Sequence, residues 1–209
     1  MSSGPEPLRP EAFRDLLQKN LAAFELTLDD AKTSRLARFL SELDRWRRST
    51  NLTGRLSADE LVSHALESAF GSHLLPALGT GVDIGTGGGF PGVPLAVCRP
   101  DLRWVWVEPR ERRAAFLRHV ARTIPVENAE VVSGRVEDLS RGAFDFVTSR
   151  GLKLDGATLD HLLKPDGFLL LWTTREDWAK TPLSGGFRLE QAEPIPMTRR
   201  RVVAVFRKS

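Results

Sequence analysis

Apolar residues recur at helical spacing in three stretches near the start of the chain. Residues 10–25 and 29–48 each place Leu and Phe every three or four positions, which is the pattern of a helix with one buried face. A third stretch begins at Ser57, whose spacing to Glu60 is that of a capping box, and runs towards residue 77 with a break expected near Gly71. The pattern predicts three amphipathic helices that pack against the rest of the protein.

From residue 81 onward, short apolar runs alternate with helical segments. The runs predict strands at residues 82–84, 103–107, 130–133, 144–149 and 168–173. Helices are predicted between them at residues 92–98, 110–122, 136–140 and 155–163. Such alternation predicts a parallel sheet that is covered on both faces.

The last part of the chain differs, because residues 187–192 and 202–207 have the pattern of two strands with no helix between them. A closing antiparallel hairpin is typical of Rossmann-like methyltransferases, whereas a dinucleotide dehydrogenase usually continues with helical crossovers. We therefore predict an α/β fold: a Rossmann-like, S-adenosylmethionine-dependent methyltransferase domain with a mostly parallel sheet and a C-terminal antiparallel hairpin. This domain is assigned to residues 79–209, and an N-terminal helical extension to residues 1–78. The two parts are expected to form one compact unit.

The charge balance limits the way in which the protein meets its partners. The chain has 30 basic and 27 acidic residues, and a net charge of +3 is too small for bulk attraction to nucleic acid. Any RNA contact must therefore be local. Basic residues cluster at three places: Arg45, Arg47 and Arg48; Arg110, Arg112 and Arg113; and Arg199, Arg200 and Arg201. Such a cluster is more often a solvated face than a binding surface.

Cysteine content and hydropathy indicate a soluble protein of a reducing compartment. The single cysteine, Cys98, excludes an internal disulfide and a cysteine-rich zinc site. No run reaches the roughly 18 consecutive apolar residues of a membrane span, and the first residues lack the pattern of a signal peptide. We expect a cytoplasmic monomer with no metal and no membrane contact.

A glycine-rich turn follows the first predicted strand and is the most informative segment. Glycines there, including Gly85, Gly87 and Gly89, let the backbone turn tightly and bring its N–H groups close to a ligand. A plain strand-to-helix turn would need one glycine, so the run favours a ligand-binding loop. Asp83 is expected to organise the turn by accepting backbone N–H bonds, or to contact the cofactor through water.

The loop alone does not decide between two cofactors. Gly87, Gly89 and Gly92 have the spacing of the dinucleotide fingerprint, which keeps an NAD(P)-binding oxidoreductase as an alternative. Pro91, however, lacks the N–H that a pyrophosphate would need at the helix start, and S-adenosylmethionine carries no phosphate. Glu108 ends the second predicted strand, where a carboxylate can accept from ribose hydroxyls of either cofactor or cap the following helix.

Five short motifs give the chain a resemblance to a known family. They are Thr-Asn-Leu-Thr at residues 50–53, His-Ala-Leu-Glu-Ser at 64–68, the glycine loop through Phe-Pro-Gly-Val-Pro-Leu at 83–95, Gly-Arg-Val-Glu at 134–137, and Ser-Arg at 149–150. In this order they resemble the GidB/RsmG family of bacterial small-subunit ribosomal RNA methyltransferases, which methylate a guanine at N7. The glycine loop that ends in Phe-Pro-Gly is the most specific of them.

The resemblance implies a role for particular residues. It implies that Gly85 and Phe90 line the cofactor site, that Val136 and Glu137 bracket the adenine, and that Arg150 lies beside the cofactor and the target base. Arg150 is thus the candidate catalytic residue. Without the family, Arg150 has the alternative role of an ion-pair partner for Glu137.

The helical extension supplies two further candidates, Asn51 and His64, as contacts for the RNA substrate. Each has the alternative of a purely structural, hydrogen-bonded group. Guanine N7 already carries an in-plane lone pair, so its methylation needs no general base and depends on alignment. This agrees with a sequence that shows no constellation of His, Cys and Lys typical of a catalytic base.

The chain also departs from the family pattern. The family usually has Asp at the position of Glu67, Ala at that of Gly151, and Lys-Gly after the fifth strand, where this chain has Trp172, Thr173 and Thr174. That lysine would lie near the substrate. A methyltransferase of the same fold with another RNA or a small molecule as substrate therefore stays as an alternative, as does a non-catalytic RNA-binding module.

Overall fold

The computed structural model describes residues 6–152, 154–178, 183 and 186–208. The first five residues, which bear on the expected absence of a signal peptide, lie outside this range. Within it, no helix has the length and apolar character that crossing a membrane requires.

Three helices precede the sheet, as the pattern predicts. They are α1 (Pro10–Leu21), α2 (Asp30–Trp46) and α3 (Ala58–Phe70). The first ends earlier than predicted, because a 3₁₀ turn follows it and Glu25 then takes a left-handed conformation with φ of 56°. The expected break at Gly71 is confirmed, since a second 3₁₀ turn, Gly71–Leu74, begins there.

The start of α3 is fixed by the predicted capping box. Glu60 donates its backbone N–H to Ser57 Oγ at 3.2 Å, and Ser57 donates its own to Glu60 Oε2 at 2.6 Å. The box satisfies two N–H groups that a helix end leaves without partners. It fixes the helix that carries His64 and Glu67.

The strands form one sheet in the described part of the chain. They are β1 (Thr80–Ile84), β2 (Arg103–Val107), β3 (Ala129–Val132), β4 (Phe144–Arg150), β5 (Leu163–Thr174), β6 (Phe187–Pro194) and β7 (Arg201–Lys208). Their order is β3-β2-β1-β4-β5-β7-β6. The first five strands are parallel, β7 is antiparallel to β5, and β6 is antiparallel to β7. The predicted parallel sheet with a closing antiparallel hairpin is confirmed.

Among the described residues, four helices follow strands of this sheet. They are α4 (Gly92–Cys98), α5 (Glu111–Thr123), α6 (Gly156–Leu162) and α7 (Arg175–Trp178). The predicted helix at residues 136–140 is wrong, because only a 3₁₀ turn at Val136–Asp138 forms before the chain becomes extended at Leu139. Helix α7 has no counterpart among the helices predicted from the sequence pattern.

Side chains of β2, β5 and β7 alternate between two cores. In β2, Trp104 and Trp106 belong to a core that includes residues of α1 to α5, whereas Val107 belongs to the core that includes α6. In a strand, successive side chains point to opposite faces, so the two cores lie on opposite sides of the sheet. Both faces are therefore covered, as predicted.

Candidate active site

A cavity of about 460 Å³ lies at the carboxyl ends of β1 and β2. Small-molecule sites have volumes of about 300–1,000 Å³ and, in open α/β sheets, lie at this edge. Four of the residues predicted to bind the cofactor line it: Gly85, Glu108, Val136 and Glu137. The strand ends thus bring together residues that are up to 52 positions apart in sequence.

The wall of the cavity at Gly85 requires glycine. Gly85 has φ of 70°, and a Cβ there would come within 2.4 Å of Leu152 Cδ1, another wall residue. Gly87 also has a positive φ, 54°, and donates its N–H to Glu108 Oε2 at 3.0 Å. The backbone at Gly85 therefore forms part of the cavity wall, whereas Gly87 is not among the residues that line the cavity.

Glu108 both lines the cavity and organises its wall. The carboxylate is buried and accepts N–H groups from Gly87 and Arg110, each at 3.0 Å. A carboxylate has about four acceptor sites, so two contacts leave capacity for ribose hydroxyls. Its structural use and its predicted use in cofactor binding are compatible.

Asp83 lies beneath the loop and is not among the residues that line the cavity. Its side chain is fully buried, and Oδ1 accepts a hydrogen bond from Thr148 Oγ1 at 2.7 Å. Oδ2 lies on the side of Gly92, where an added Cβ would come within 2.6 Å of it. Burial raises the pKa of Asp83 to about 6. The position is that of a group that supports the turn from below.

Gly89 and Phe90 lie towards the helical layer, and neither lines the cavity. A Cβ at Gly89 would come within 2.7 Å of the Phe39 ring. Phe90 packs edge-on against Phe39 and His64, with ring centroids 5.3 and 5.8 Å away. The end of the glycine loop thus contacts α2 and α3.

Arg150 ends β4 within a group of charged residues at the same edge of the sheet. Arg150 Nη2 donates to Glu67 Oε2 at 2.8 Å, and Nη1 donates to the His64 carbonyl at 3.3 Å. Arg201 Nη1 reaches the same Glu67 oxygen at 2.5 Å. The ion-pair partner of Arg150 is therefore Glu67, and the alternative pairing with Glu137 is wrong.

The charges in this group do not cancel. Two guanidiniums share one carboxylate, and Glu67 is buried with only 5% of its side chain exposed. Burial lowers the pKa of His64 to about 4, and the nearby Arg150 and Arg201 lower it as well, so His64 is neutral at pH 7. The group keeps a net positive charge that favours an electron-rich or anionic ligand.

Asn51 lies on a loop that touches both the glycine loop and the cavity. Its side chain is exposed, and its carbonyl accepts from Arg113 Nε at 3.0 Å. Arg113 lines the cavity, and a Cβ on Gly88 would lie 3.0 Å from the carbonyl oxygen of Leu52. The loop that carries Asn51 is thus held against the glycine loop and against the cavity residue Arg113.

Comparison with protein families identifies the chain. A family model described as rRNA small subunit methyltransferase G matches residues 32–180, which include every residue of the cavity wall. The chain belongs to this family. The predicted resemblance is confirmed.

Individual relatives agree with the assignment to the methyltransferase G family. The chain is 39% identical over 148 residues to the ribosomal RNA small subunit methyltransferase G of Xanthomonas euvesicatoria, covering 69% of this chain and 70% of the relative. It is 34% identical over 161 residues to the protein of that name from Neisseria meningitidis, covering 74% and 77%.

Solved structures support the fold. TrmN from Thermus thermophilus aligns with a TM-score of 0.56 and 19% identity, covering 69% of this chain and 49% of that one. A SAM-dependent methyltransferase from Aquifex aeolicus gives 0.51 and 15%, covering 61% and 81%. The Rossmann-like methyltransferase fold predicted from the sequence is confirmed.

Three residues of the site are not predicted individually from the sequence of this family member. Arg113 belongs to a noted arginine cluster, but only the fold shows that it lines the cavity and holds the Asn51 loop. Glu67 and Arg201 are 134 positions apart and meet at the edge of the sheet. The sequence does contain a feature that could have identified Glu67 as a site residue, because Glu67 stands where the family motif usually has an aspartate.

The described residues contain no group of three or more His, Cys, Asp or Glu side chains that could hold a metal ion.

Proposed function

We propose that this protein transfers a methyl group from S-adenosylmethionine to N7 of a guanine in small-subunit ribosomal RNA. The observation that carries the proposal is the position of the cavity in a member of the methyltransferase G family. It lies at the carboxyl ends of β1 and β2, and Gly85 and Glu108 are among the residues that line it. Arg150 ends the adjacent strand β4.

The residues of the cavity fit this cofactor. A Cβ at Gly85 would meet the wall residue Leu152, so the backbone there forms a close-fitting surface. Glu108 is available to ribose hydroxyls, while Val136 and Glu137 flank the region that the family resemblance assigns to the adenine. When bound, S-adenosylmethionine supplies an electrophilic methyl group on a sulfonium centre.

The NAD(P) alternative is not favoured. Helix α4 begins at Gly92 and has Pro91 as its N-cap residue, so that position offers no N–H to a pyrophosphate. The family to which the chain belongs is named for methyl transfer to ribosomal RNA.

Arg150 is proposed to orient the target guanine. Its guanidinium has five N–H donors, and its contacts to Glu67 and His64 hold the group in place. A free donor would bind guanine O6, next to the N7 that carries the reacting lone pair. Because N7 loses no proton, these residues act by positioning the base rather than by proton transfer.

The family lysine that is missing after β5 has a cationic substitute. Trp172 is buried and donates its Nε1–H to the Glu67 carbonyl at 2.7 Å. Arg201 begins β7 and pairs in register with Thr174, the last residue of β5. A positive charge therefore still lies at this edge, which supports RNA as the substrate class.

Asn51 and His64 are proposed as walls of the RNA site. Asn51 has an exposed side chain beside the glycine loop, and the neutral His64 packs on Phe90. We further propose that the protein works in the cytoplasm, in keeping with a ribosomal RNA substrate. We also propose that it is a monomer, since one chain supplies every residue named here.

Methyl transfer to RNA with defined variants tests the proposal. Purified protein titrated with S-adenosylmethionine and with NADH should bind the former only. Arg150→Ala should lower methyl transfer to 16S ribosomal RNA by at least about 100-fold while cofactor affinity stays measurable, because positioning of the base is lost. Arg103→Ala is the matched control and should keep full activity. Arg103 begins β2, so it lies at the opposite end of the parallel strands from the cavity.

Two results would contradict the proposal. Unchanged turnover by Arg150→Ala would remove its role in catalysis. Ribosomal RNA with an unchanged content of 7-methylguanosine, measured by mass spectrometry of nucleosides from cells that lack the protein, would refute the substrate.

A further inference from the structure

The turn between β6 and β7 projects beyond the edge of the sheet that carries the active site. Thr174 and Arg201 pair where β5 ends and β7 begins. Arg201 also reaches Glu67, the carboxylate that binds Arg150. Residues 195–200 therefore continue outward from the group of charged residues beside the proposed target base.

This turn is held in one conformation by its own contacts. Ile195 is buried, and its N–H donates to the Arg201 carbonyl at 3.0 Å. Thr198 donates both its N–H, at 3.2 Å, and its Oγ1 hydroxyl, at 2.8 Å, to the Ile195 carbonyl. Met197 stands at the tip, 72% exposed, with a left-handed φ of 62°. A pre-ordered turn binds a partner with a small loss of conformational entropy.

Arg199 and Arg200 on this turn carry charge that is paired weakly or not at all among the described residues. Arg199 is exposed and has no ion-pair partner among the described residues. Arg200 is 76% exposed, and its contact with Glu176 is long, at 3.9 Å. The guanidiniums of Arg199 and Arg200 are therefore available to an anion.

The first arginine cluster of the sequence is different. Arg47 and Arg48 both pair with Asp44, and Arg45 pairs with Glu42. Those charges stabilise α2 and its C-terminal end. Of these two clusters, the one on the β6–β7 turn has the charge to bind a polyanion.

We propose that the β6–β7 turn binds the sugar-phosphate backbone of the RNA strand beside the target nucleotide, through Arg199 and Arg200. The proposal rests on the proposed function, because it needs RNA at the Arg150 site. Guanidinium suits phosphate through its paired N–H donors. Arg199 and Arg200 directly precede Arg201 in the chain, so they add positive charge next to the group formed by Arg150, Arg201 and Glu67. Met197 adds an apolar contact for an adjacent ribose or base.

The salt dependence of RNA binding tests the proposal. The probe is a 16S ribosomal RNA transcript, titrated with wild type, Arg199→Gln/Arg200→Gln and Arg103→Gln between 50 and 200 mM KCl. Each phosphate contact contributes about 0.7 to the slope of log K against log salt for a single strand, so the double variant should have a slope smaller by about 1.4. At 100 mM salt its KM for RNA should rise about tenfold, and kcat should change far less than KM. Arg103→Gln, at the amino end of β2 and away from the cavity, should match wild type.

The charge-conserving variant separates electrostatics from damage to the turn. Arg199→Lys/Arg200→Lys should restore most of the slope, whereas a damaged turn would lose it in both double variants. Cofactor affinity checks that the adjacent site is intact. A double Gln variant with unchanged slope and KM, in a preparation whose wild type methylates RNA, would overturn the proposal and leave the proposed function standing. If wild type methylates no RNA, the proposed function fails first and the role of the turn fails with it.

Discussion

The ionisable side chain of Asp83 is completely buried under the glycine loop. Burial raises its pKa to about 6 from the ordinary 3.8, and hydrogen bonds from Thr148 and Thr86 act in the opposite direction. Since the folded state holds this proton more tightly than the unfolded chain does, the resulting stabilisation is complete below about pH 4. It is lost as the pH rises through 6. A shift of about two units corresponds to about 3 kcal/mol.

This linkage predicts a pH-dependent difference between wild type and Asp83→Asn. Relative to wild type, the variant should gain up to about 3 kcal/mol in free energy of unfolding between pH 4 and pH 7, because it has no carboxylate to ionise in the core. Urea denaturation at both pH values measures the change. The control is Asp101→Asn, whose exposed carboxyl has a lowered pKa through its hydrogen bond to Arg99. A difference for Asp83→Asn that does not vary with pH would contradict the shift.

The position of some site residues could be predicted from the sequence, whereas the position of others could not. Gly85, Glu108, Val136 and Glu137 follow strand ends, and parallel strands end at one edge, so their meeting in the cavity is foreseeable. Phe90 is in the same loop, yet it faces His64 on α3. Which way a loop side chain turns depends on the helices packed over it, and the pattern of one segment does not contain that information.

Among the helices too, some are determined by local sequence and others by the tertiary structure around them. The α3 cap was predictable, because Ser57 and Glu60 supply each other's partners within one turn. The alternation of strands and helices along the chain predicts a helix at residues 136–140. Only Val136–Asp138 turns, because the chain must extend at Leu139 on its way to β4. The conformation of a helical segment of about one turn depends on the two strands that the segment has to connect.

The glycine loop allows a prediction with a matched control. Gly85→Ala and Gly142→Ala both put a side chain at a left-handed φ, 70° and 60°, and each should lose about 1–2 kcal/mol in free energy of unfolding. A Cβ at Gly142 meets open space, whereas one at Gly85 pushes on Leu152 in the cavity wall. Only Gly85→Ala should therefore weaken S-adenosylmethionine binding, by at least about tenfold. Calorimetric titration beside urea denaturation measures both effects, and equal cofactor affinities in the two variants would show that the Gly85 wall is not part of the site.

At the scale of the whole molecule, the helical extension is packed in layers onto the sheet. Helix α1 contacts α2 and α3, which in turn contact α4 and α5. Leu17 of α1 and Trp104 of β2 belong to one continuous buried core. This arrangement places α3, with His64 and Glu67, against the end of β4, so the charged group at Arg150 depends on helices and sheet together.

We therefore predict that helices and sheet unfold in one transition. Leu17 is fully buried, and Leu17→Ala should lower the free energy of unfolding by about 2–5 kcal/mol. In a single cooperative unit, far-UV circular dichroism and tryptophan fluorescence should shift together, because the loss in α1 weakens the core that also contains Trp104 and Trp106. Leu78→Ala, at a side chain that is 78% exposed, is the control and should change stability by less than about 0.5 kcal/mol. If the circular dichroism transition of Leu17→Ala came earlier than that of wild type while the fluorescence transition did not move, the helical extension would be a separate folding unit. The contacts of α3 with Arg150 would then not depend on the shared core.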